Sequence, residues 1–136
     1  MHPQVGIVQT AYANGASTDY LKSLGVQIGC TPTGVKYLHH AAVAYDVGVY
    51  FEANGHGTVL FSHPLLEACT QLESSVPAAA QILALSRLIN QAVGDAISGV
   101  LLVEAALRLL GGEDGMAWWA GLYEDLPSRQ TKVLAV

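Results

Sequence analysis

The 136 residues amount to one domain, enough for a single core and too few for two. Hydrophobic residues make up 51% and charged ones only 12%, against about 25% charged in an average soluble domain, so part of the surface is expected to be covered by a partner. The net charge of −5 and six scattered Lys and Arg residues exclude a protein that tracks nucleic-acid phosphates, and Glu104 and Arg108 break the longest apolar segment, so no membrane span is predicted.

In chain order, Val5 to Thr10 (VGIVQT) is a β-branched run that predicts a strand. Asn14-Gly15 marks a turn, and Ser17 or Thr18 is the expected cap of a helix, DYLKSL, that ends at Gly25. Val26 to Cys30 predicts a second strand, closed by TPTG. Val35 to Tyr45 carries Val35, Leu38 and Ala42 at the i, i+3, i+7 spacing of one helix face. Val47 to Phe51 and Thr58 to Phe61 are apolar runs joined by EANGHG, and Asn54-Gly55 between them signals a hairpin.

From Pro64 onward the pattern is helical. Ile82, Leu85 and Ile89 mark one face, and Val100, Val103, Leu107 and Leu110 mark another after a break at Gly94-Asp95, where Asp95 is the expected cap. Gly111-Gly112 stops that helix, and Met116 to Tyr123 forms a shorter one carrying Trp118 and Trp119, ended by Leu126-Pro127. The last stretch, Ser128 to Val136 (SRQTKVLAV), is expected to be extended. The predicted class is therefore α/β, with a mixed, mostly parallel sheet, an antiparallel hairpin and a helical C-terminal half.

Cys30 and Cys69 stand alone without CxxC spacing and are expected to be buried thiols in a reducing compartment. MHPQVGIVQ has neither the basic nor the apolar region of a signal peptide, so a cytoplasmic location is expected.

Ligands of open α/β sheets sit beyond the carboxyl ends of the strands, and two loops qualify. In TPTGVK, Thr31 and Thr33 offer hydroxyls, Gly34 admits a ligand to the backbone, and Lys36 lies in a helical first turn that favours an anion. The same residues also read as a threonine-capped βα turn with a solvated lysine. In EANGHG, Glu52 and Asn54 suit vicinal hydroxyls or an amide, and His56 can donate or accept near neutral pH. A hairpin in which Glu52 and Asn54 merely satisfy turn amides fits the spacing equally well.

Other groups are weaker candidates. His39 and His40 are adjacent, so they point about 100° apart on a helix and cannot chelate one metal. Neither cysteine has a metal-ligand neighbour at standard spacing, and no serine is set up as a nucleophile, so no catalytic and no metal residue is assigned. Trp118-Trp119 reads as an anchor for a helix on the core or on a neighbouring domain.

VGIVQTAYANGAST, CTPTGVKYLHH, DVGVYFEANGHGTVLFS, NQAVGDAISGVLLVEAAL and LYEDLPSRQTKV, in that order over nearly the whole chain, together resemble the third domain of the phosphoacetylglucosamine mutase family of the α-D-phosphohexomutase superfamily. The resemblance implies a three-layer α/β/α domain over residues 1–125. It also implies a linker over 126–136, leading toward a C-terminal phosphate-binding domain. The enzyme implied has four domains and interconverts the 6- and 1-phosphates of N-acetylglucosamine on the route to UDP-N-acetylglucosamine. By the same resemblance Glu52 accepts from sugar hydroxyls, Asn54 meets the N-acetyl region, and His56 supports the loop or touches the ligand. Thr33 and Gly34 line the cleft, with Lys36 as a neighbour. The partners implied are an amino-sugar phosphate and the other domains of the enzyme. The family's phosphoserine, its DGD-type loop for Mg2+ in another domain and its phosphate-binding loop have no counterpart in this sequence. The chain is therefore expected to be a fragment inactive alone; a stand-alone sugar-phosphate binder, or a domain with no affinity of its own, is the alternative.

Overall fold

The computed structural model describes residues 2–129 and Thr131. Alternating β-branched and helical patterns give, in order, β1 (Val5–Thr10), α1 (Gly15–Ser23), β2 (Gln27–Thr31), α2 (Val35–Ala42), β3 (Val47–Phe51) and β4 (Gly57–Phe61). Then come α3 (His63–Leu72), α4 (Pro77–Leu88), α5 (Ala96–Gly111), a 3-10 turn (Gly112–Asp114) and α6 (Gly115–Ala120). The strands form one mixed sheet in the order β2-β1-β3-β4. β1 pairs in parallel with β2 and β3, and β3 pairs antiparallel with β4. The α/β class and the hairpin on a mostly parallel sheet are as the sequence predicts.

Side chains alternate across a strand, and the register uses this to build a core on each face. Val8, Tyr50 and Leu60 point to one face and pack with Leu38 and Ala42 of α2. Val47 and Phe61 point to the other and pack against the buried Leu65, Cys69, Ala79 and Leu83 of α3 and α4. α1 lies on that second face, where the Gln9 side chain donates to the Thr18 hydroxyl. The stripe of Val35, Leu38 and Ala42 is therefore the inward face of α2, as the spacing requires.

Four local expectations are corrected. α1 is capped by Asn14, whose Oδ1 accepts from the Ala16 N–H, and not by Ser17 or Thr18; those two hydroxyls bond the Asn14 carbonyl and the Gln9 side chain instead. Cys69 is buried but Cys30 is exposed, because β2 is an edge strand and α1, which buries none of its residues, leaves it uncovered. α4 turns Ala79 and Leu83 inward, while Ile82 only flanks the cluster. In α5 only Ser98 and Leu107 are buried, whereas Val100 and Leu110 remain 68% and 66% exposed. α5 is apolar nearly all round, so its hydrophobic residues cannot by themselves mark which side faces the core. Asp95 caps α5 as expected, accepting from the Ile97 N–H.

Among the described residues no helix is long and apolar enough to cross a membrane. Asn14 and the backbone of Leu126 exchange two hydrogen bonds, at 2.9 and 3.1 Å. The extended run expected over Ser128 to Val136 lies outside the described residues apart from Ser128, Arg129 and Thr131, which belong to no helix or strand.

α2 reaches the sheet through a close approach at Gly48, where an added Cβ would overlap the Ala42 carbonyl oxygen. Backbone cannot rotate out of the way as a side chain can, so Gly48→Ala should destabilise the domain by about 1–3 kcal/mol or more. At Gly99 an added Cβ meets nothing within 4 Å, and Gly99→Ala within α5 should stabilise by about 0.5–1 kcal/mol. Urea denaturation followed by circular dichroism measures both, and a Gly48→Ala midpoint at or above the parent value would contradict the packing described.

Candidate functional site

The chain leaves β1 for β2 on one side and returns to β3 on the other, which makes the carboxyl ends of β1 and β3 a topological switch point. TPTG follows β2 and EANGHG follows β3, so both loops lie at this end of the sheet. β2 and β3 are separated by β1, hence by two strand spacings or roughly 10 Å. One side chain closes that distance. Glu52 Oε1 accepts from the Gly34 N–H and from the Thr33 hydroxyl, both at 3.1 Å.

The need for that contact is local. α2 begins at Gly34 with φ 124° and no side-chain cap, and its first turn carries no acidic residue. Thr33 does not cap it, contrary to the blander reading of TPTG. Glu52 supplies the anion from the neighbouring loop, where the exposed amides and dipole of a helix N-terminus favour one. Only 7% of Glu52 is exposed. Its carboxyl is held below the ordinary glutamate range, chiefly by the Gly34 N–H, with the Thr33 and Asn54 hydrogen bonds and the nearby His56 adding to it and burial opposing.

EANGHG is itself a tight connection. The Glu52 N–H donates to the His56 carbonyl at 2.8 Å and the Gly55 N–H to the Glu52 carbonyl at 2.9 Å. Gly55 takes φ 88°, the left-handed position of a three-residue hairpin loop. Asn54 Oδ1 accepts from the His56 N–H at 3.0 Å, and its Nδ2 donates to Glu52 Oε2 at a long 3.4 Å. The bland reading of the hairpin therefore holds for Asn54, which meets a turn amide, and not for the Glu52 carboxylate, which meets none in its own turn and bonds the TPTG loop instead. With Oε1 and Oδ1 so engaged, Glu52 Oε2 remains as an acceptor and Asn54 Nδ2 as a donor with capacity to spare.

The structure therefore brings Glu52, Asn54, His56, Thr33 and Gly34 together. Lys36 stands apart, exposed, with Nζ 5.0 Å from the Tyr37 ring. It lines a separate hollow of about 410 Å³ with His39, His40, Tyr50 and residues 92–94. Asn54 and His56 border a larger groove of about 620 Å³ whose far wall is α5 and α6, including Asp95, Val100, Met116 and Trp119. His39 Nδ1 lies 2.9 Å from the Tyr50 hydroxyl, whose pKa burial raises. Trp118 packs on Gly111 at the end of α5, and both tryptophans stay partly exposed. Among the described residues no three His, Cys, Asp or Glu side chains converge as a metal site would require.

Sequence reasoning placed a break at Gly94-Asp95 and gave residues 90–93 no role in the site. They are bound to β4, through the Thr58 hydroxyl on the Asn90 carbonyl and the Phe61 N–H on the Gln91 side chain. Two adjacent amide side chains just before a Gly-Asp pair were the available signal.

An open doubly wound sheet with two polar loops meeting at its switch point defines the class, an open α/β domain with a candidate ligand site. Comparison with known proteins makes this particular. The family model described as "Phosphoacetylglucosamine mutase AMG1, domain III" matches residues 1–111, and the chain belongs to that family. It is 56% identical to a phosphoacetylglucosamine mutase of Oryza sativa, over 94% of this chain and 24% of the relative, and 52% identical to that of Homo sapiens, over 95% and 24%. A solved structure of the Aspergillus fumigatus N-acetylphosphoglucosamine mutase in complex with GlcNAc-6P and magnesium superposes with a TM-score of 0.86 at 53% identity, over 93% of this chain and 24% of that one. An N-acetylglucosamine-phosphate mutase in its substrate complex superposes at 0.81 with 45% identity, over 93% and 24%. The chain thus spans about a quarter of the length of the relatives it matches.

A group whose folded pKa is depressed contributes stability above its unfolded pKa and loses it as pH falls through the folded value. The link between the loops should therefore persist through neutral and mildly acid pH and fail below the ordinary glutamate range. In a pH titration by NMR, the Gly34 amide shift should follow the Glu52 carboxyl with a midpoint below that range. Glu52→Gln should abolish the step, and a Gly34 amide that does not titrate in the parent chain would refute the link.

Proposed function

We propose that this chain is the sugar-binding domain of a phosphoacetylglucosamine mutase, an isomerase that interconverts N-acetylglucosamine 6-phosphate and N-acetylglucosamine 1-phosphate for UDP-N-acetylglucosamine synthesis. The observation that carries the reading is the convergence of Thr33, Gly34, Glu52 and Asn54 at the switch point, in a chain of this family whose relative is solved with GlcNAc-6P. Glu52 Oε2 accepts from sugar hydroxyls, Asn54 Nδ2 donates to the N-acetyl carbonyl, and His56 at the loop's end supports it or meets the ligand. Gly34, without a Cβ, lets the sugar approach the backbone, and the exposed Lys36 is a more distant, cationic neighbour.

On this reading none of the described residues transfers a phosphoryl group. The reaction needs a phosphate donor and neutralisation of developing charge, which on this reading come from other domains of the same enzyme. On this reading one of those domains also holds Mg2+. Residues 1–125 form the third domain and 126–136 lead out of it toward a phosphate-binding domain, with Leu126 tied back by Asn14. Two unpaired thiols fit a reducing, cytoplasmic setting.

In the full-length enzyme, Asn54→Ser should erode the preference for N-acetylglucosamine phosphate over glucose phosphate. An amide left unmet is worth about 1–3 kcal/mol, so the ratio of kcat/KM values should fall about tenfold or more; an unchanged ratio would show that Asn54 does not read the N-acetyl group. Turnover by the isolated chain would overturn the division of labour, whereas tight binding without turnover in an enzyme insensitive to the domain would favour an independent binder.

A further inference from the structure

β4 carries the hairpin back from the loop and, among the described residues, has no strand on its outer side. β3 is fixed by its pairing with β1, whereas the outer edge of β4 stays open to twisting unless something braces it. Here residues 90–94 do so. The fully buried Thr58 donates its hydroxyl to the Asn90 carbonyl at 2.6 Å, and the Phe61 N–H donates to Gln91 Oε1 at 2.9 Å. Gln91 Nε2 in turn donates to the Ser86 carbonyl in α4 at 3.1 Å.

The brace is itself rigid. Asn90 Oδ1 accepts from the Ala92 and Val93 N–H groups at 3.0 and 3.3 Å, and the Asn90 N–H donates to the Ser98 hydroxyl of α5 at 3.1 Å. At its far end Gly94 comes so near the hairpin that an added Cβ would stand 3.3 Å from the Gly57 nitrogen and oxygen. Gly57 and Thr58 directly follow His56. The contacts therefore run from α4 and α5 to the base of the ligand loop, and none of these groups lies among the proposed sugar contacts.

We propose that Thr58 and Gln91 are positioning residues for substrate selection, holding residues 90–94 against β4 so that Glu52 and Asn54 meet the sugar at a fixed angle. The proposal rests on EANGHG being the sugar loop. A misplacement of about 1 Å can cost as much as 100-fold at a reacting centre, and here it falls on recognition, because the phosphoryl-transfer groups lie elsewhere in the enzyme.

The test uses the full-length enzyme with N-acetylglucosamine 6-phosphate and glucose 6-phosphate. Thr58→Val keeps the shape and removes the hydroxyl. It should raise KM for the N-acetylated substrate about five- to tenfold, lower the preference between the two sugars by a similar factor, and leave kcat within about twofold. Thr58→Ser, which restores the donor, should return KM to within about twofold of the parent. A Thr58→Val enzyme that loses only thermal stability, with KM and preference unchanged, overturns the proposal. If that variant cannot be obtained folded, Gly94→Ala decides, since its methyl pushes on Gly57 from the other side: a shifted preference supports positioning and an unshifted one overturns it. Failure of Asn54→Ser to alter the preference would instead remove the sugar-loop reading beneath it.

Discussion

Glu52 belongs to the loop after β3, yet its Oε1 accepts from Gly34 and Thr33 on the loop after β2, across the end of β1. A carboxylate this buried is tolerated only when its charge is met, and the Gly34 N–H at the entry to α2 meets it together with the Thr33 hydroxyl. The helix in turn has no cap of its own. Each loop therefore depends on the other, and the dependence extends downward. α2 carries Leu38 and Ala42 into the core beneath Val8, Tyr50 and Leu60, so the contact that shapes the candidate site also fixes where the central helix begins.

The elements that a local pattern can encode were legible. Val35, Leu38 and Ala42 repeat at a helical period, Asn54-Gly55 sits between two apolar runs, and Asp95 precedes a helix it then caps. The misjudged features were settled by distant partners. Leu107 is inward and Val100 outward because of what packs on α5, which an almost uniformly apolar helix does not record in its sequence. Cys30 is exposed because its strand ends up on an edge. The residues of the candidate site were named from the sequence, but the bonds that organise them join positions 18 and 19 apart, and the brace on β4 joins positions 30 and 32 apart. Spacing within one loop carries no sign of either.

Low charge content has a structural counterpart. Ile97, Val100, Leu110 and Met116 of α5 and α6 are each 66% or more exposed, and Val100 and Met116 line the same groove as Asn54 and His56. Whatever covers that apolar wall thus borders the loop proposed to read the sugar. In a chain spanning about a quarter of its relatives' length, this continuity links the two oddities of the sequence, its greasy surface and its polar turn.

The internal bonds of EANGHG, taken alone, describe an ordinary satisfied hairpin. Satisfaction and recognition are compatible because each side chain has two ends. Glu52 commits Oε1 to the helix and Asn54 commits Oδ1 to the turn, which holds the remaining oxygen and amide in place before any ligand arrives. Binding to groups already fixed avoids the entropy of ordering them, so on the proposed reading the bonds that make the turn stable are also the ones that would make it selective. The same economy suits the proposed division of labour, in which a switch point presenting one fixed acceptor and one fixed donor chooses the sugar and groups of other domains change it.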